Sequence, residues 1–276
     1  MPKPRPAGGR PLGFPYAGTE SERHAMANSR SGETVTERLV RVLDTFGTDR
    51  TVQTTAEIGR RANLPSSTAH RMVTELVECG LLERDDDQRV RLGIRLWELA
   101  LRGSRTLRLR QVALPFMERV QARIREHTQL AVIDNDETLF IERLSHPQAG
   151  ANITRIAGRL PLHASSSGLV LLAHSPVEVR ERILTGPLRA MSPSTETDPE
   201  RLHHLLAGFR RDGLVVAPGT VEAVSTGVAV PVRQGRGEVV AALSVILPVD
   251  TPTGSAVEEL RAAAAGISAA LGNQRG

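Results

Sequence analysis

The sequence predicts an α+β protein in two parts: an N-terminal winged helix-turn-helix, joined by a helical linker to a larger α+β domain built on an antiparallel sheet. Three observations carry this reading. Three amphipathic segments and a hairpin pattern fall within residues 34–93, a basic helical stretch follows, and strand and helix patterns mix from Gln129 to a strong final hairpin and closing helix.

Residues 1–33 read as a disordered tail, with Pro2, Pro4, Pro6, Gly8, Gly9 and Pro11 ahead of polar Ser and Arg. Met26 lies inside it and offers an alternative start. Val35, Leu39, Val42, Leu43 and Phe46 then share one face of a helix that Gly47 ends. A second helix fits Thr55–Ala62, capped by Thr54 or Thr55, with Ala56, Ile58 and Ala62 for burial. Asn63-Leu64-Pro65 is a turn, because proline holds the residue before it out of the helical region. The third helix runs from Ser66 or Ser67 to Cys79 and stops at Gly80. Ala69, Met72, Val73, Leu76 and Val77 form its apolar stripe, while Ser67, His70, Arg71, Thr74 and Glu78 face the other way. Leu81–Arg84, the acidic turn Asp85-Asp86-Asp87 and Arg89–Leu92 read as a two-stranded hairpin. Three helices and a hairpin in about 60 residues make a winged helix-turn-helix, which lays its third helix in the DNA major groove. A helical interaction module without DNA is the competing assignment.

Residues 94–107 read as a linking helix and 108–127 as a second, with Val112, Phe116, Val120 and Ile124 at four-residue spacing. Pro115 predicts a kink or a late start in it. Gln129–Asp134 and Thr138–Leu144 flank the turn Asn135-Asp136 as a hairpin, and Asn152–Ile156 reads as a strand. Helices are expected over Ser167–Ala173, Pro176–Leu184 and Pro199–Asp212. Gly227–Val232 and Glu238–Leu247 form the last hairpin about Gln234–Gly237, and Val257, Leu260, Ala264, Ile267 and Leu271 mark the closing helix. The α+β domain is thus placed at 108–276.

With 40% hydrophobic, 24% charged and only 3% aromatic residues, the 276-residue chain is globular, its core built from Leu, Val, Ile and Ala. No apolar run approaches the ~18 residues of a membrane helix, and Met1–Gly18 lacks the apolar centre of a secretory signal. The single cysteine, Cys79, excludes internal disulfides and a Cys-built zinc site; its place at a helix end reads as buried. A soluble cytoplasmic protein without cofactor or metal is expected. Of the 35 basic residues all but Lys3 are arginine, and Tyr16 is the only tyrosine. Almost nothing therefore titrates between roughly pH 9 and 12, so a net charge of +4 carries the isoelectric point to about 10.3. Placement matters more. Residues 34–93 hold nine Arg against ten acidic residues, whereas 94–127 hold eight Arg against three Glu. The winged unit alone is not basic, so affinity for a polyanion must draw on local placement, the basic linker, the tail arginines and pairing of copies.

Several blocks, in this order, resemble transcriptional regulators of the IclR family: Ala56-Glu-Ile-Gly-Arg-Arg-Ala-Asn-Leu-Pro-Ser-Ser-Thr-Ala-His-Arg71, Leu76-Val-Glu-Cys-Gly-Leu-Leu-Glu-Arg84, Val90-Arg-Leu-Gly93, Gly158-Arg-Leu-Pro-Leu-His-Ala164, Val230-Pro-Val232 and Val239-Val-Ala-Ala-Leu-Ser-Val245. The resemblance spans nearly everything from Thr36 to Leu271. It implies a DNA-binding winged helix-turn-helix at 34–93, a linker helix at 94–107 used in dimerisation, and an effector-binding domain at 108–276 with a GAF- or profilin-like sensor fold. Members are dimers or dimers of dimers that repress or activate a nearby operon in response to a metabolite. Repression is the commoner mode and the expected one. A regulator that needs no effector, its C-terminal domain serving oligomerisation alone, is the alternative.

For the partner, double-stranded operator DNA, Ser66, Ser67 and Thr68 open the recognition helix, where hydroxyls and amides can take a phosphate. His70 and Arg71 follow on the exposed side. Arg71 is the candidate base reader, because guanidinium to guanine is the commonest specific pairing; a phosphate contact or a surface ion pair competes. Arg60, Arg61, Arg84, Arg89 and Arg91 are candidates for the DNA backbone, or for plain solvation. In the second domain the resemblance places the family's acidic pocket residue at Ala217, its cysteine at Gly227 and its serine pair at Ser244 and Ile246, so only Ser244 keeps the pattern. The lysine common after the helix-start glycine is Leu169. Such losses leave room and few hydrogen bonds, which suits an aromatic, terpenoid or polyketide-like effector better than a small 2-oxo acid. Ser165 and Ser166, in Ala164-Ser-Ser-Ser-Gly168, can hold a carboxylate or carbonyl at a helix N-terminus, or merely cap it. His163 reads as a core or pocket histidine. An enzyme is disfavoured: no Gly-x-Ser-x-Gly elbow, phosphate loop or dinucleotide fingerprint is present, and adjacent His203 and His204 cannot share a metal at i, i+4 spacing.

Overall fold

The computed structural model describes residues 33–272 except 48, 148, 150 and 151, and falls into two units, the first ending at Gly103 and the second starting at Ser104. The expected tail, Glu33 apart, lies outside the described residues.

In the first unit α1 (Val35–Leu43) and α2 (Thr55–Arg61) each open on a capping box: Thr34 with Glu37, Thr54 with Glu57. The α3 helix (Ser66–Glu78) crosses α2 closely, since a Cβ on Gly59 would stand 3.0 Å from that of Ala69. Val42, Ile58, Ala62, Val73, Leu76, Leu82 and Val90 close one core. Val35 and Ala56, expected on buried faces, are exposed, because each lies in its helix's first turn, beyond that core. The wing is a three-stranded sheet ordered β1 (Val52–Gln53), β3 (Val90–Leu92), β2 (Leu82–Arg84). Its two-residue β1 is invisible to pattern reading; the buried Gln53 amide anchors it, donating to the Thr45 carbonyl and hydroxyl at 3.1 Å. Cys79 is exposed rather than buried: it is the C-cap of α3, and Gly80, at φ 73°, turns the chain away directly after it. The α4 helix (Ile94–Gly103) buries no residue in the unit. It stops short of the expected 107, because Ser104 caps the next helix by accepting from the Leu107 amide.

The second unit is a six-stranded antiparallel sheet in the order β6 (Arg159–Pro161), β5 (Glu137–Leu144), β4 (His127–Asp134), β9 (Glu238–Pro248), β8 (Ser225–Gln234), β7 (Val215–Pro218). One face carries α5 (Arg105–Ile124) and α9 (Gly254–Gly272), with Leu109, Ala113, Met117, Leu130, Leu243, Leu260 and Ile267 among the residues packed between. The α5 helix runs through Pro115, which faces solvent, and ends where Arg125 turns left-handed at φ 59°; His127 therefore begins a strand rather than ending a helix. The other face carries α6 (Ser166–His174), α7 (Val177–Leu184) and α8 (Pro199–Asp212) over Ala131, Phe140, Leu160, Ala229 and Ala242. Residues 152–156 are not a strand. The Asn152 side-chain oxygen Oδ1 accepts from the Thr154 amide and hydroxyl at 2.9 and 2.8 Å, a local closure that competes with sheet pairing.

A β-bulge makes Ile141 the extra residue between Leu130↔Glu142 and Ala131↔Phe140. It turns Glu142 towards α5, where the buried carboxylate meets Arg110 at 2.6 Å, and leaves Arg143 beside Gln129 on the α6 face. Every residue of α6 but His174 is buried. Its seat demands a glycine: a Cβ at 168 would lie 2.5 Å from Thr138 Oγ1 and closer still to the Leu162 carbonyl oxygen. Gly168→Ala is therefore expected to lower stability by about 1–3 kcal/mol through overpacking. A denaturant titration of the full chain reads this as an earlier C-terminal transition, and an unmoved midpoint would show that the seat yields.

Candidate nucleic-acid interface and ligand pocket

One face of α3 is spent on the core, at Ala69, Met72, Val73 and Leu76; the other presents Ser66, Ser67, His70, Arg71, Thr74 and Glu78 to solvent, with Thr68 half-buried. Pro65 occupies the N-cap and supplies no side-chain acceptor, so the first amides of α3 point outward without a cap. Arg71 Nε stands 3.7 Å from Glu75, both exposed, an i, i+4 pair of the kind worth little in water. The other arginines divide. Arg60 and Arg89 are exposed; Arg91 pairs with Glu83 at 3.2 Å; Arg84 reaches the Gln88 carbonyl at 3.3 Å and the Thr55 hydroxyl at 3.4 Å. Arg61 donates to Gln53 Oε1 and so braces β1. At the wing tip Asp85 accepts from the Arg89 amide at 2.8 Å, leaving Asp86 and Asp87 in solvent.

In the second unit the first turn of α6 opens onto a cavity of about 380 Å³, mouth included, between the helix, the sheet and the segments at 152–154 and 220–225. Five of the six residues singled out from sequence line it together: Ser165, Ser166, Ala217, Gly227 and Ile246. Ser244 is fully buried behind them and accepts from the Ser167 hydroxyl at 2.8 Å. Ser165 is the N-cap, its oxygen accepting from the Gly168 amide at 3.0 Å, so capping and ligand contact compete for it. The room expected from a glycine at 227 is partly filled. A Cβ there would be 2.5 Å from Ser166 Oγ, so the Ser166 side chain occupies that space.

Sequence reading missed much of the wall: Gln129, Phe140, Asn152, Thr154, Leu160, Thr220, Val221, Glu222 and Ser225. Gln129 was detectable as a polar residue at the head of an apolar strand. The loop residues gave no periodic signal. Asn152 Nδ2 is buried with no hydrogen-bond partner among the described residues, an unfilled donor in the pocket wall. Gln129 donates to Thr154 Oγ1, and the Arg143 guanidinium to the Thr154 carbonyl, which ties residues 152–154 to the sheet. Among the described residues Glu222 is the only charged one lining the cavity; it accepts from the Ile153 amide at 3.3 Å. Burial holds the Arg143 pKa below the ordinary guanidinium value, with the Glu222 carboxylate acting in the opposite direction.

His163 lies outside this cavity, buried on the wall of a separate open groove, with Nε2 3.0 Å from the Arg189 carbonyl oxygen. Burial lowers its pKa, against that carbonyl. His203 and His204 are exposed on α8 with their rings edge to face. Among the described residues no cluster of three His, Cys, Asp or Glu is placed to hold a metal, and no helix is long and apolar enough to cross a membrane.

A winged helix-turn-helix on one unit and an α+β unit with a lined pocket define a DNA-binding regulator. Residues 35–86 match the IclR helix-turn-helix domain, and 104–269 match the bacterial transcriptional regulator IclR C-terminal domain. The chain belongs to the IclR family of transcriptional regulators, which are HTH-type proteins and not enzymes. It is 28% identical to the HTH-type transcriptional regulator XynR of Escherichia coli over 242 residues, covering 86% of this chain and 96% of that one. Among solved structures it is similar to an IclR homologue from Microbacterium hydrocarbonoxydans, complexed with 4-hydroxybenzoate. The identity is 61% and the TM-score 0.82, over 86% of this chain and 99% of that one. It is also similar to the Thermotoga maritima IclR, with 25% identity and a TM-score of 0.69 over 86% and 98% of the two chains.

Proposed function

We propose that this regulator is a cytoplasmic repressor that binds its operator as a dimer or a dimer of dimers and changes its affinity when a small aromatic acid enters the α6 pocket. The observation that carries the reading is that cavity. Its walls combine Phe140, Leu160, Val221 and Ile246, apolar enough for a ring, with hydroxyls and a helix N-terminus at one end. The Ser166 side chain fills the space opposite Gly227, which favours one ring over a bulkier terpenoid or polyketide. The 4-hydroxybenzoate complex of the Microbacterium relative supports the same class. A regulator without an effector is disfavoured by the unfilled Asn152 donor in the cavity wall.

On the DNA side, the uncapped amides of Ser66, Ser67 and Thr68 take a phosphate at the helix N-terminus, and Arg71 releases Glu75 to read a base edge, with His70 beside it. Arg60 and Arg89 contact the backbone. Arg84 and Arg91 give up their present partners to do so, and the acidic wing tip stays clear of the phosphates. Arg71→Ala should lower operator affinity by about 1–3 kcal/mol and relax specificity at one position. Equal losses on operator and random duplex, read by fluorescence anisotropy, would make Arg71 a phosphate contact instead.

Dimerisation follows from α4. Ile94, Trp97 and Leu101 share one helix face at 64%, 58% and 40% exposure among the described residues. Trp97→Glu should shift the chain towards monomer in sedimentation velocity and weaken operator binding by at least about tenfold, since a buried interface tryptophan is a typical hot spot. An unchanged oligomer would move the interface elsewhere.

A further inference from the structure

The α6 pocket has a feature beyond its general shape, and the inference drawn from it rests on the reading of that pocket as an aromatic-acid site. Of the three consecutive serines at the helix start, two hydroxyls are committed. Ser165 accepts from the Gly168 amide, and Ser167 donates to Ser244. The Ser166 side chain lines the cavity at 3% exposure and has no hydrogen-bond partner among the described residues. An uncommitted hydroxyl facing a cavity is a donor that a ligand acceptor can take. Beside it the Ser166 and Ser167 amides are the first two of α6 and have no acceptor within the helix.

What admits that hydroxyl is the absence of a side chain across from it. Gly227 lies in β8, opposite Ile246 of β9 and Ala217 of β7, in ordinary strand pairing. Its φ is not among the positive-φ glycines, so the backbone conformation does not require glycine there. The space does. A Cβ at 227 would stand 2.5 Å from Ser166 Oγ and 3.0 Å from Ser166 Cβ, so any side chain displaces the hydroxyl first.

We propose that Ser166 and Gly227 form one specificity element: the missing side chain at 227 admits the Ser166 hydroxyl, which donates to the carboxylate of a ring acid lying at the α6 N-terminus. The carboxylate accepts from that hydroxyl and from the adjacent free amides, while the ring extends towards Phe140 and Ile246. The pocket thereby selects a carboxylate with no cationic side chain among the described residues of its lining.

Calorimetric titration of the full chain with 4-hydroxybenzoate and with 4-methylphenol, which keeps the ring and the phenol but lacks the carboxylate, tests this. Four proteins are compared: wild type, Ser166→Ala, Gly227→Ala and the double variant, with thermal unfolding as the check on folding. Wild type should bind the acid more tightly than the phenol. Ser166→Ala should lose about tenfold on the acid and little on the phenol, the loss of one charge-assisted hydrogen bond. Gly227→Ala should lose at least as much, and the double variant less than the two single losses together, because the hydroxyl that the methyl displaces is then gone and only its 3.0 Å approach to the Cβ at 166 remains. Equal losses of Ser166→Ala on both ligands, or additive losses in the double variant, overturn the pair while leaving the pocket assignment standing. The Ser166→Ala comparison decides the matter even where Gly227→Ala does not fold. A wild type that binds neither probe overturns the aromatic-acid reading itself, and this inference with it.

Discussion

The depth at which α6 lies on its sheet governs the rest of the C-terminal unit. Residues facing that helix are unusually small: Ala131 on β4, Gly227 and Ala229 on β8, Ala242 and Ser244 on β9. Gly168 completes the contact from the helix side, against the Leu162 backbone and Thr138. Larger residues at any of these points would lift the helix and open a gap that the core of Leu169, Val170, Leu171 and Leu172 could not close. Because the helix is seated on backbone and on short side chains, its N-terminus is fixed in position. The cavity is the space left where its first turn meets the polar head of β4 and the loops beyond.

The bulge at Ile141 divides the sheet's polar work between its two faces. Were the strand to alternate strictly through Ile141, Glu142 would share the pocket side with Phe140, and Arg143 would be sent into the α5 core. With the bulge, Glu142 is held by Arg110 and Arg143 by the Thr154 carbonyl. Two adjacent residues thus fasten α5 on one side and the pocket rim on the other. The buried carboxylate is tolerable because it keeps both a cation and the Arg143 amide, at 2.8 Å, as partners.

The helices were legible wherever a stripe had to be buried: α3 and α9 follow their apolar periodicity almost to the residue, and the β8–β9 hairpin follows alternation and its glycine turn. Short edge strands were not. The β1, β6 and β7 strands have two to four residues, too few for a period to register. Residues 152–156 look extended because Ile and Thr favour strands, yet Asn152 closes on Thr154 instead. Cys79 and Val35 show the limit of a helical stripe near its ends, where the partner surface has already run out. In the pocket, Ala217, Gly227 and Ile246 were reachable through the family resemblance, and Ser165 and Ser166 through their place at a helix start. Asn152, Thr154 and Glu222 come from loops whose positions are set by long-range hydrogen bonds that leave no local trace. The filling of the Gly227 space by Ser166 lay beyond sequence as well, since it requires two residues sixty-one positions apart to be known as neighbours.

One titration bears on the whole account: fluorescence anisotropy of the full chain on the duplex upstream of its own gene, against a scrambled duplex, over a salt series with and without 4-hydroxybenzoate. The account predicts binding at least about 10³-fold tighter to the upstream duplex, changed by the acid within the roughly 5–150-fold range of ordinary allosteric coupling. Equal binding to both duplexes, collapsing steeply with salt and indifferent to the acid, would leave only electrostatic attraction and contradict it.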